Sequence, residues 1–163
     1  MAKKERNWRA LGAFAGVVAA AALIGSVGML LTDWGWYEGL QKPPFTPASW
    51  AFGLVWPLLY ATIALAGWVA WQTKPLPLTS PTMLVYAAQL LLNALWTFLF
   101  FALKSPMLAA FELTLLGLVA LLNVVLFWRI NRNAGLLLLP YLAWLGLAWL
   151  VNAGTWFMNH QSV

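Results

Sequence analysis

Residues 34–47 read Trp-Gly-Trp-Tyr-Glu-Gly-Leu-Gln-Lys-Pro-Pro-Phe-Thr-Pro, a long polar break in the first half of an otherwise apolar chain. Its three prolines remove backbone donors and favour extended conformations in the residues before them, so we expect no helix to run through this stretch. Its apolar side chains carry too much surface for a solvated tether; they are Trp34, Trp36, Tyr37, Leu40 and Phe45. We therefore predict that residues 33–48 fold back as a lid over a cavity between membrane helices.

The composition excludes a water-soluble domain. Of the 163 residues, 63% are hydrophobic and 8% are charged, whereas soluble domains carry about 25% charged residues. The chain has no cysteine, which excludes disulfides, thiolate metal sites and cysteine nucleophiles. The net charge of +5 comes from basic residues at the ends of apolar segments and not from a patch. It therefore indicates orientation in a lipid bilayer and no nucleic-acid partner.

Five apolar segments are each long enough to cross a bilayer. The first is an uncharged run of 23 residues, which as a helix would be about 34 Å long against a hydrocarbon core of about 30 Å. A cleaved signal peptide is the alternative, but the run stays apolar as far as Leu31, which favours a retained span. The predicted fold is an all-α integral membrane protein, a five-helix transmembrane bundle that forms one domain over residues 1–163. The predicted spans are residues 10–32, 49–72, 81–103, 107–128 and 136–158.

Small residues, a proline and a polar turn shape the predicted bundle. Four glycines place small residues on the first span: Gly12, Gly16, Gly25 and Gly28. Such a face lets another helix come close. Pro57 lies inside the second span and is expected to kink or loosen it. Residues 129–135 are the most polar internal connection and predict a turn between the last two spans.

Basic residues predict the orientation in the membrane. Seven Lys and Arg residues lie in the amino-terminal tail, the second loop and the fourth loop, and two lie in the first and third loops. Four of the seven precede the first span: Lys3, Lys4, Arg6 and Arg9. Because positive charge stays on the cytoplasmic side, we predict the amino terminus inside, and the lid and the carboxyl terminus outside.

The sequence holds no motif for phosphate binding or metal chemistry. It has no Gly-rich phosphate loop, no HExxH sequence and no Cys/His cluster. The single histidine, His160, lies in the carboxyl-terminal tail, where chains fray. Any large ligand is therefore expected to be held by shape and stacking, with no metal and no covalent cofactor.

Polar side chains lie inside the predicted spans, where they are costly and tend to mark function. Gln89, Asn93 and Trp96 are spaced i, i+4 and i+7, which places them on one helical face. The others are Glu112 and Asn123 in the fourth span and Asn152 in the fifth. Two interpretations remain open for each: a hydrogen bond between helices that holds the bundle together, or contact with a ligand. Glu112 has the further interpretation of a proton-relay acid.

Eight of the twelve tryptophans fall into two groups by their depth in the membrane. Those at span ends suit the interfacial belt and need no function; they are Trp8, Trp34, Trp36, Trp71 and Trp128. Trp56, Trp96 and Trp144 lie within about 10 Å of the middle of their spans. Tyr60 shares a face with Trp56, and Tyr141 with Trp144. Such deep indoles either pack tightly in the core or line a cavity for a flat, apolar small molecule that enters from the bilayer.

Three motifs resemble the translocator protein family, also called tryptophan-rich sensory proteins, TspO/MBR or peripheral-type benzodiazepine receptors. They are residues 36–47 followed by Gly53-Leu-Val-Trp56, then Gln89-x-x-x-Asn93-x-x-Trp96, then Leu139-Pro-Tyr-Leu-Ala-Trp144. The likeness covers almost the whole chain, with five spans in the same order. It implies a bacterial member of the family in the cell membrane, a homodimer, and a ligand pocket under the first loop.

The resemblance also implies ligands and site residues. The implied ligands are porphyrins such as protoporphyrin IX and haem, with sterols and benzodiazepine-site drugs as further candidates. The expected ligand-binding residues are Trp36, Tyr37, Pro43, Trp56, Tyr60, Gln89, Asn93, Trp96, Tyr141, Trp144 and Ala148. The resulting hypothesis is a membrane sensor for tetrapyrrole regulation or stress. The alternatives are an enzyme that degrades protoporphyrin IX with light and oxygen, with Trp56 and Trp144 as catalytic candidates, and a porphyrin or sterol transporter.

The sequence departs from the family pattern at four places. Phe45 stands where the loop motif has a tryptophan, and Ala48 where it has a second proline. The animal cholesterol motif needs a tyrosine and an arginine at places that fall at Ala153 and Phe157. Because those side chains are absent, the resemblance does not extend to a cholesterol site of that kind.

Overall fold

Helices account for the regular elements of the structure, a computed structural model that describes residues 7–160. They are α1 (Trp8–Leu30), α2 (Trp34–Gly39), α3 (Ser49–Thr73), α4 (Pro81–Thr97, continued by a π-helical turn, Phe98–Ala102), α5 (Pro106–Ile130) and α6 (Arg132–His160). In this part of the chain, all of them except α2 are long and apolar enough to cross a membrane, which gives five spans. The protein is therefore an all-α, multi-pass integral membrane protein, and the predicted fold class is confirmed.

Serine and proline together fix where two spans begin. The hydroxyl of Ser80 accepts the N–H of Met83 at 3.4 Å, and Pro81 is the first residue of α4. Ser105 and Pro106 begin α5 in the same way. A serine cap satisfies a backbone donor that the helix leaves free, and proline at the first position has no donor to lose.

The connections differ from the sequence-based expectation in two places. The lid contains a short helix, α2, because the carboxylate of Asp33 caps it by accepting the N–H of Trp36 at 3.2 Å. The turn expected over residues 129–135 is reduced to Asn131, since α5 continues to Ile130 and α6 begins at Arg132. The side chain of Asn131 accepts the N–H of Asn133 at 2.9 Å, so one residue both breaks and restarts the helix.

The five spanning helices form a ring in the order α1, α4, α5, α6 and α3, which returns to α1. Large apolar side chains fill its core; the most deeply buried include Ile63, Leu116, Phe127, Leu138 and Tyr141. The outer faces carry exposed leucines, among them Leu23, Leu91, Leu118 and Leu150. Such a surface suits lipid chains, because lipid is as apolar as leucine and imposes no cost on it.

Three chain segments meet at the end of the bundle opposite the lid. The backbone N–H of Asn7 donates to the side chain of Gln72 at 3.3 Å, and the side chain of Asn131 donates to Thr73 at 2.8 Å. The start of α1, the end of α3 and the junction of α5 with α6 therefore lie together. Three basic residues behind the predicted orientation lie outside the described residues: Lys3, Lys4 and Arg6. The inside location of this end stays a prediction.

Glycine lets α1 approach α4, but at only part of the predicted face. The Thr97 hydroxyl donates to the carbonyl of Gly25 at 2.7 Å. A Cβ built on Gly28 would lie 2.6 Å from that hydroxyl oxygen and 2.9 Å from the backbone nitrogen of Phe98. By contrast, a Cβ on Gly12 or on Gly16 would meet nothing within 4 Å. The close approach is thus observed at the second pair of glycines, whereas no helix among residues 7–160 approaches the first pair.

Gly28→Val is expected to destabilise the protein by about 1–3 kcal/mol, because the new side chain would collide with backbone that cannot move aside. The measurement is the thermal unfolding midpoint in detergent. Gly16→Val is the matched control, since it makes the same change on the same helix in open space. Equal losses in the two variants would contradict the assignment of the helix contact.

Candidate functional site: a lidded cavity

Polar contacts hold the lid, residues 33–48, on both sides of the bundle. Asp33 forms an ion pair with Lys104 at 2.7 Å. The hydrogen bond from Lys104, and next the one from the Trp36 N–H, hold the pKa of Asp33 below its usual value, so its carboxylate is charged at neutral pH. At the other side, Gln41 donates its N–H to the side chain of Asn159 at 3.1 Å and accepts a bond from it at 2.8 Å. The lid therefore bridges the ends of α4 and α6.

Aromatic and proline side chains on the lid pack down onto the bundle. The ring of Trp36 lies 5.9 Å from that of Phe100, and the ring of Tyr37 lies 5.6 Å from that of Phe101. Burial raises the pKa of Tyr37, which keeps its hydroxyl neutral. Pro43 is buried, and α6 has room for its ring only because glycine lies opposite. The lid folds back onto the helices as its composition predicted.

The π-helical turn at the end of α4 supplies the surface under the lid. Its widened geometry is seen in the bond from the N–H of Leu103 to the carbonyl of Phe98 at 2.8 Å, five residues back. Adjacent Phe100 and Phe101 are both buried there. Wide turns of this kind are rare and occur frequently at functional sites.

Beneath the lid lies a cavity of about 710 Å³. Sites for small molecules and cofactors span about 300–1,000 Å³, so the volume suits a ligand of that size. The cavity is bounded by the lid and by α1, α3, α4 and α6. Its lining from the spanning helices includes Gly25, Ser26, Met29, Phe52, Trp56, Tyr60, Asn93, Trp96, Thr97, Phe100, Trp144, Ala148, Val151, Asn152 and Thr155.

Three deep indoles form the wall of the cavity. The ring of Trp56 stacks on Tyr60 at 5.4 Å between centroids and meets Trp144 edge-on at 6.5 Å. On α4, Trp96 stacks on Phe100 at 5.6 Å. All three indoles line the cavity and also contact neighbouring rings. The deep tryptophans therefore both pack in the bundle and line a cavity, and a ligand between them stays a prediction.

Asn93 joins three helices at the floor of the cavity. Its carbonyl oxygen accepts the hydroxyl of Tyr60 from α3 at 3.0 Å, and its amide nitrogen donates to the hydroxyl of Tyr141 on α6 at 3.1 Å. Trp96, one turn further along α4, donates its indole N–H to Asn152 at 3.1 Å. The polar atoms next to the cavity thus largely satisfy one another, which leaves an apolar, aromatic interior.

Comparison with known proteins shows which family shares this sequence. The profile of the TspO/MBR family matches residues 14–157. The chain belongs to the TspO/MBR family. The matched segment contains all three deep indoles and the entire lid, so the cavity described above lies within the part of the chain that the family shares.

Relatives of this TspO/MBR chain occur in archaea, bacteria and animals. It is 34% identical to the tryptophan-rich protein TspO of Archaeoglobus fulgidus over 87% of this chain and 94% of that protein. It is 34% identical to the tryptophan-rich sensory protein of Cereibacter sphaeroides over 78% of each chain. It is 34% identical to the human translocator protein over 77% of this chain and 75% of that protein.

The structure brings seven of the eleven expected site residues of this family member to the cavity. They are Tyr37, Trp56, Tyr60, Asn93, Trp96, Trp144 and Ala148. Four do not line it. Gln89 is fully buried and accepts a hydrogen bond from Asn123 at 3.1 Å, so it joins α4 to α5. Tyr141 lies behind Asn93, while Trp36 and Pro43 hold the lid in place.

Several lining residues were not among those expected from the sequence. Phe100 and Phe101 line the cavity because they lie in the π-helical turn. No local sequence pattern predicts such a turn. Lys42 lies in the lid, and its charge in the sequence served only to predict the orientation in the membrane. Asn152 was noted as a deep polar residue, and the signal that could have assigned it is its spacing of eight residues from Trp144, which places both on one face of α6.

Glu112 does not line the cavity. It is buried in α5, and neither carboxylate oxygen has a hydrogen-bond partner among residues 7–160. The indole N–H of Trp144 is buried without an acceptor in the same part of the chain. No chain of hydrogen bonds joins Glu112 to the cavity within the described residues, so its role as a proton-relay acid stays a hypothesis.

Gly154→Val is expected to lift the lid, because a Cβ at this position of α6 would lie 2.6 Å from the ring of Pro43. The measurement is hydrogen exchange of the Gln41 amide, which should speed up by about threefold or more as local opening becomes easier. Gly146→Val is the control on the same helix, since its Cβ would meet nothing within 4 Å. Unchanged exchange in Gly154→Val would mean that Pro43 does not seat the lid.

Proposed function

We propose that this TspO/MBR protein binds a porphyrin, such as protoporphyrin IX or haem, in the cavity beneath the lid and acts as a membrane sensor of tetrapyrroles. The observation that carries the proposal is the cavity of about 710 Å³ beneath the lid, whose lining includes the indoles of Trp56, Trp96 and Trp144. The names of its relatives, a tryptophan-rich sensory protein and a translocator protein, agree with a sensor or translocator of this type.

Stacking and burial supply the affinity in this proposal. A flat ring system between aromatic walls gains dispersion and quadrupole contacts of about 0.5–1.5 kcal/mol for each aromatic pair beyond the burial of its area. Most of the lining residues are apolar or aromatic, so a ligand that partitions into the bilayer loses little hydration when it enters. A metal ligand from the protein is not required, since shape and stacking hold the ring.

Asn93 and Tyr60 give the floor of the cavity its polar character. Their side chains are already bonded to each other at 3.0 Å, which fixes the amide and the hydroxyl in one orientation. A ligand nitrogen or oxygen that approaches the floor meets preorganised groups, which lowers the entropy lost on binding. The floor is therefore a polar contact of defined geometry in an otherwise apolar site.

Trp56→Ala and Trp144→Ala are each expected to weaken porphyrin binding by about fivefold or more, because each removes one face of the stacking wall. The measurement is quenching of tryptophan fluorescence during titration of the detergent-solubilised protein with protoporphyrin IX. Trp50→Ala is the matched control: Trp50 also lies on α3 but is 73% exposed and does not line the cavity. Unchanged affinity in both wall variants would place the ligand elsewhere.

A second candidate function is the degradation of protoporphyrin IX with light and molecular oxygen. It is favoured by one observation, the edge-on pair of oxidisable indoles, Trp56 and Trp144, on the cavity wall at 6.5 Å. In this function, oxygen adds across a bond of the excited macrocycle and opens it to a linear tetrapyrrole, and the indoles trap or stabilise the reactive intermediate.

Illumination of the protein with protoporphyrin IX in air tests this candidate. Catalysis predicts a new bilin-like absorbance that Trp144→Phe abolishes while the porphyrin stays bound. Loss of porphyrin colour at the rate seen in buffer, with no new absorbance, would remove the enzymatic function and leave the sensor. Uptake of porphyrin into sealed vesicles that contain the protein is the corresponding test for a transporter.

Sterols and benzodiazepine-site drugs belong to the same proposal as further occupants of the cavity. A sterol site at the end of α6 would use Ala153 and Phe157, but neither lines the cavity, and Phe157 is 68% exposed on the outer face. The homodimer implied by the family resemblance would cover part of such outer faces. Their exposed leucines suit either a second copy or lipid.

A further inference from the structure

A single charged side chain lines the cavity among the described residues. It is Lys42, which lies in the lid between α2 and the prolines. The other lining groups are apolar, aromatic, or neutral hydroxyls and amides. The cavity therefore has one electrically distinct end, at the lid, and a neutral interior.

The ammonium group of Lys42 is held in a fixed position. It donates to the backbone carbonyls of Tyr37 at 2.5 Å and of Leu40 at 3.2 Å. It also lies 4.2 Å from the centre of the Tyr37 ring, whose negative face attracts a cation. An ammonium group has three donors, so these two carbonyls leave one N–H for another acceptor.

Lys42 forms no ion pair within residues 7–160. The neighbouring lid carboxylate, Asp33, is instead bound by Lys104 at 2.7 Å. The other lid acid, Glu38, is exposed and makes no ion pair with Lys42. A half-buried cation that is bonded only to neutral carbonyls is electrostatically uncompensated beside an apolar cavity. An anion that reaches it gains a charge-assisted hydrogen bond in a medium that screens charge weakly.

We propose that Lys42 makes the cavity bind flat apolar ligands that carry a carboxylate more tightly than their uncharged counterparts. The carboxylate would bind the ammonium group at the lid, and the ring system would lie against the aromatic wall. This inference rests on the proposed porphyrin site and adds to it the chemical class and the orientation of the ligand. The lid then has two roles: it covers the cavity, and through Lys42 it distinguishes charged ligands from uncharged ones.

The test compares two porphyrins with the same macrocycle, mesoporphyrin IX, whose two propionates are free, and its dimethyl ester, in which they are methylated and uncharged. Each is titrated into the full-length protein in nanodiscs of phosphatidylcholine, with tryptophan quenching as the signal. The wild-type protein is expected to bind the acid about tenfold more tightly than the ester, as a charge-assisted hydrogen bond predicts. Lys42→Met should reduce this ratio to about one, and Lys42→Arg should preserve most of it.

Lys74→Met is the matched control, because it removes the same charge from the connection after α3, at the far end of the bundle. It should leave the ratio unchanged. The ratio is the readout because Lys42→Met also removes two bonds within the lid, and a loosened lid would weaken both porphyrins together. An equal loss for the acid and the ester would show that Lys42 only braces the lid, and would overturn the inference.

Two further outcomes separate the inference from the proposed function. Saturable binding of both porphyrins with equal affinity in the wild type would overturn carboxylate selection and leave the porphyrin site intact. Failure of the wild type to bind either compound would overturn both. The titration is repeated with phosphatidylglycerol in the nanodisc, and the acid-to-ester ratio is compared between the wild type and Lys42→Met, because an anionic bilayer repels the acid from both proteins. Equal ratios would mean that a lipid headgroup and not the ligand carboxylate occupies Lys42, and would overturn the inference.

Discussion

The arrangement of the bundle depends on one amide, that of Asn93. It accepts the Tyr60 hydroxyl and donates to the Tyr141 hydroxyl, so a single side chain on α4 also ties α3 and α6. Water is not available inside a bilayer to replace these bonds, although each contributes only about 0.6 kcal/mol on average in membrane proteins. These hydrogen bonds matter because they are directional. They fix which faces of the three helices meet, and so they fix the positions of the indoles on those helices.

Tight packing and open packing both occur along α4. At Gly28, α1 comes so close to α4 that a Cβ would lie 2.9 Å from the backbone nitrogen of Phe98. Beside this contact, Trp96 and the rings of α3 and α6 line a space that they do not fill. The tight contact between α1 and α4 stabilises the bundle, although a cavity remains next to the indoles. A small membrane protein can hold a ligand-sized cavity in this way.

The lid combines closure with chemistry. Its first residue, Asp33, is bound to Lys104 just after the π-helical turn, and its middle, at Gln41, is bound to Asn159 of α6. Its rings cover the π-helical turn. Shape and stacking would select a flat apolar molecule, whereas the ammonium group of Lys42 would select its charge and its orientation. These two interactions act on different parts of the ligand, because the aromatic wall lies deep in the cavity and Lys42 lies at the lid.

The sequence by itself determined the spans, the lid and the aromatic character of the site, because the hydrocarbon core dictates the length and polarity of any segment that crosses it. It could not separate Gln89 from Asn93: both lie on one face of α4, yet Gln89 bonds to Asn123 of α5 and Asn93 faces the cavity. It also gave no sign that Phe100 and Phe101 lie together under the lid. The helix α4 contacts α1, α5 and the cavity at once, so only the tertiary structure decides which of these three a polar or aromatic side chain meets.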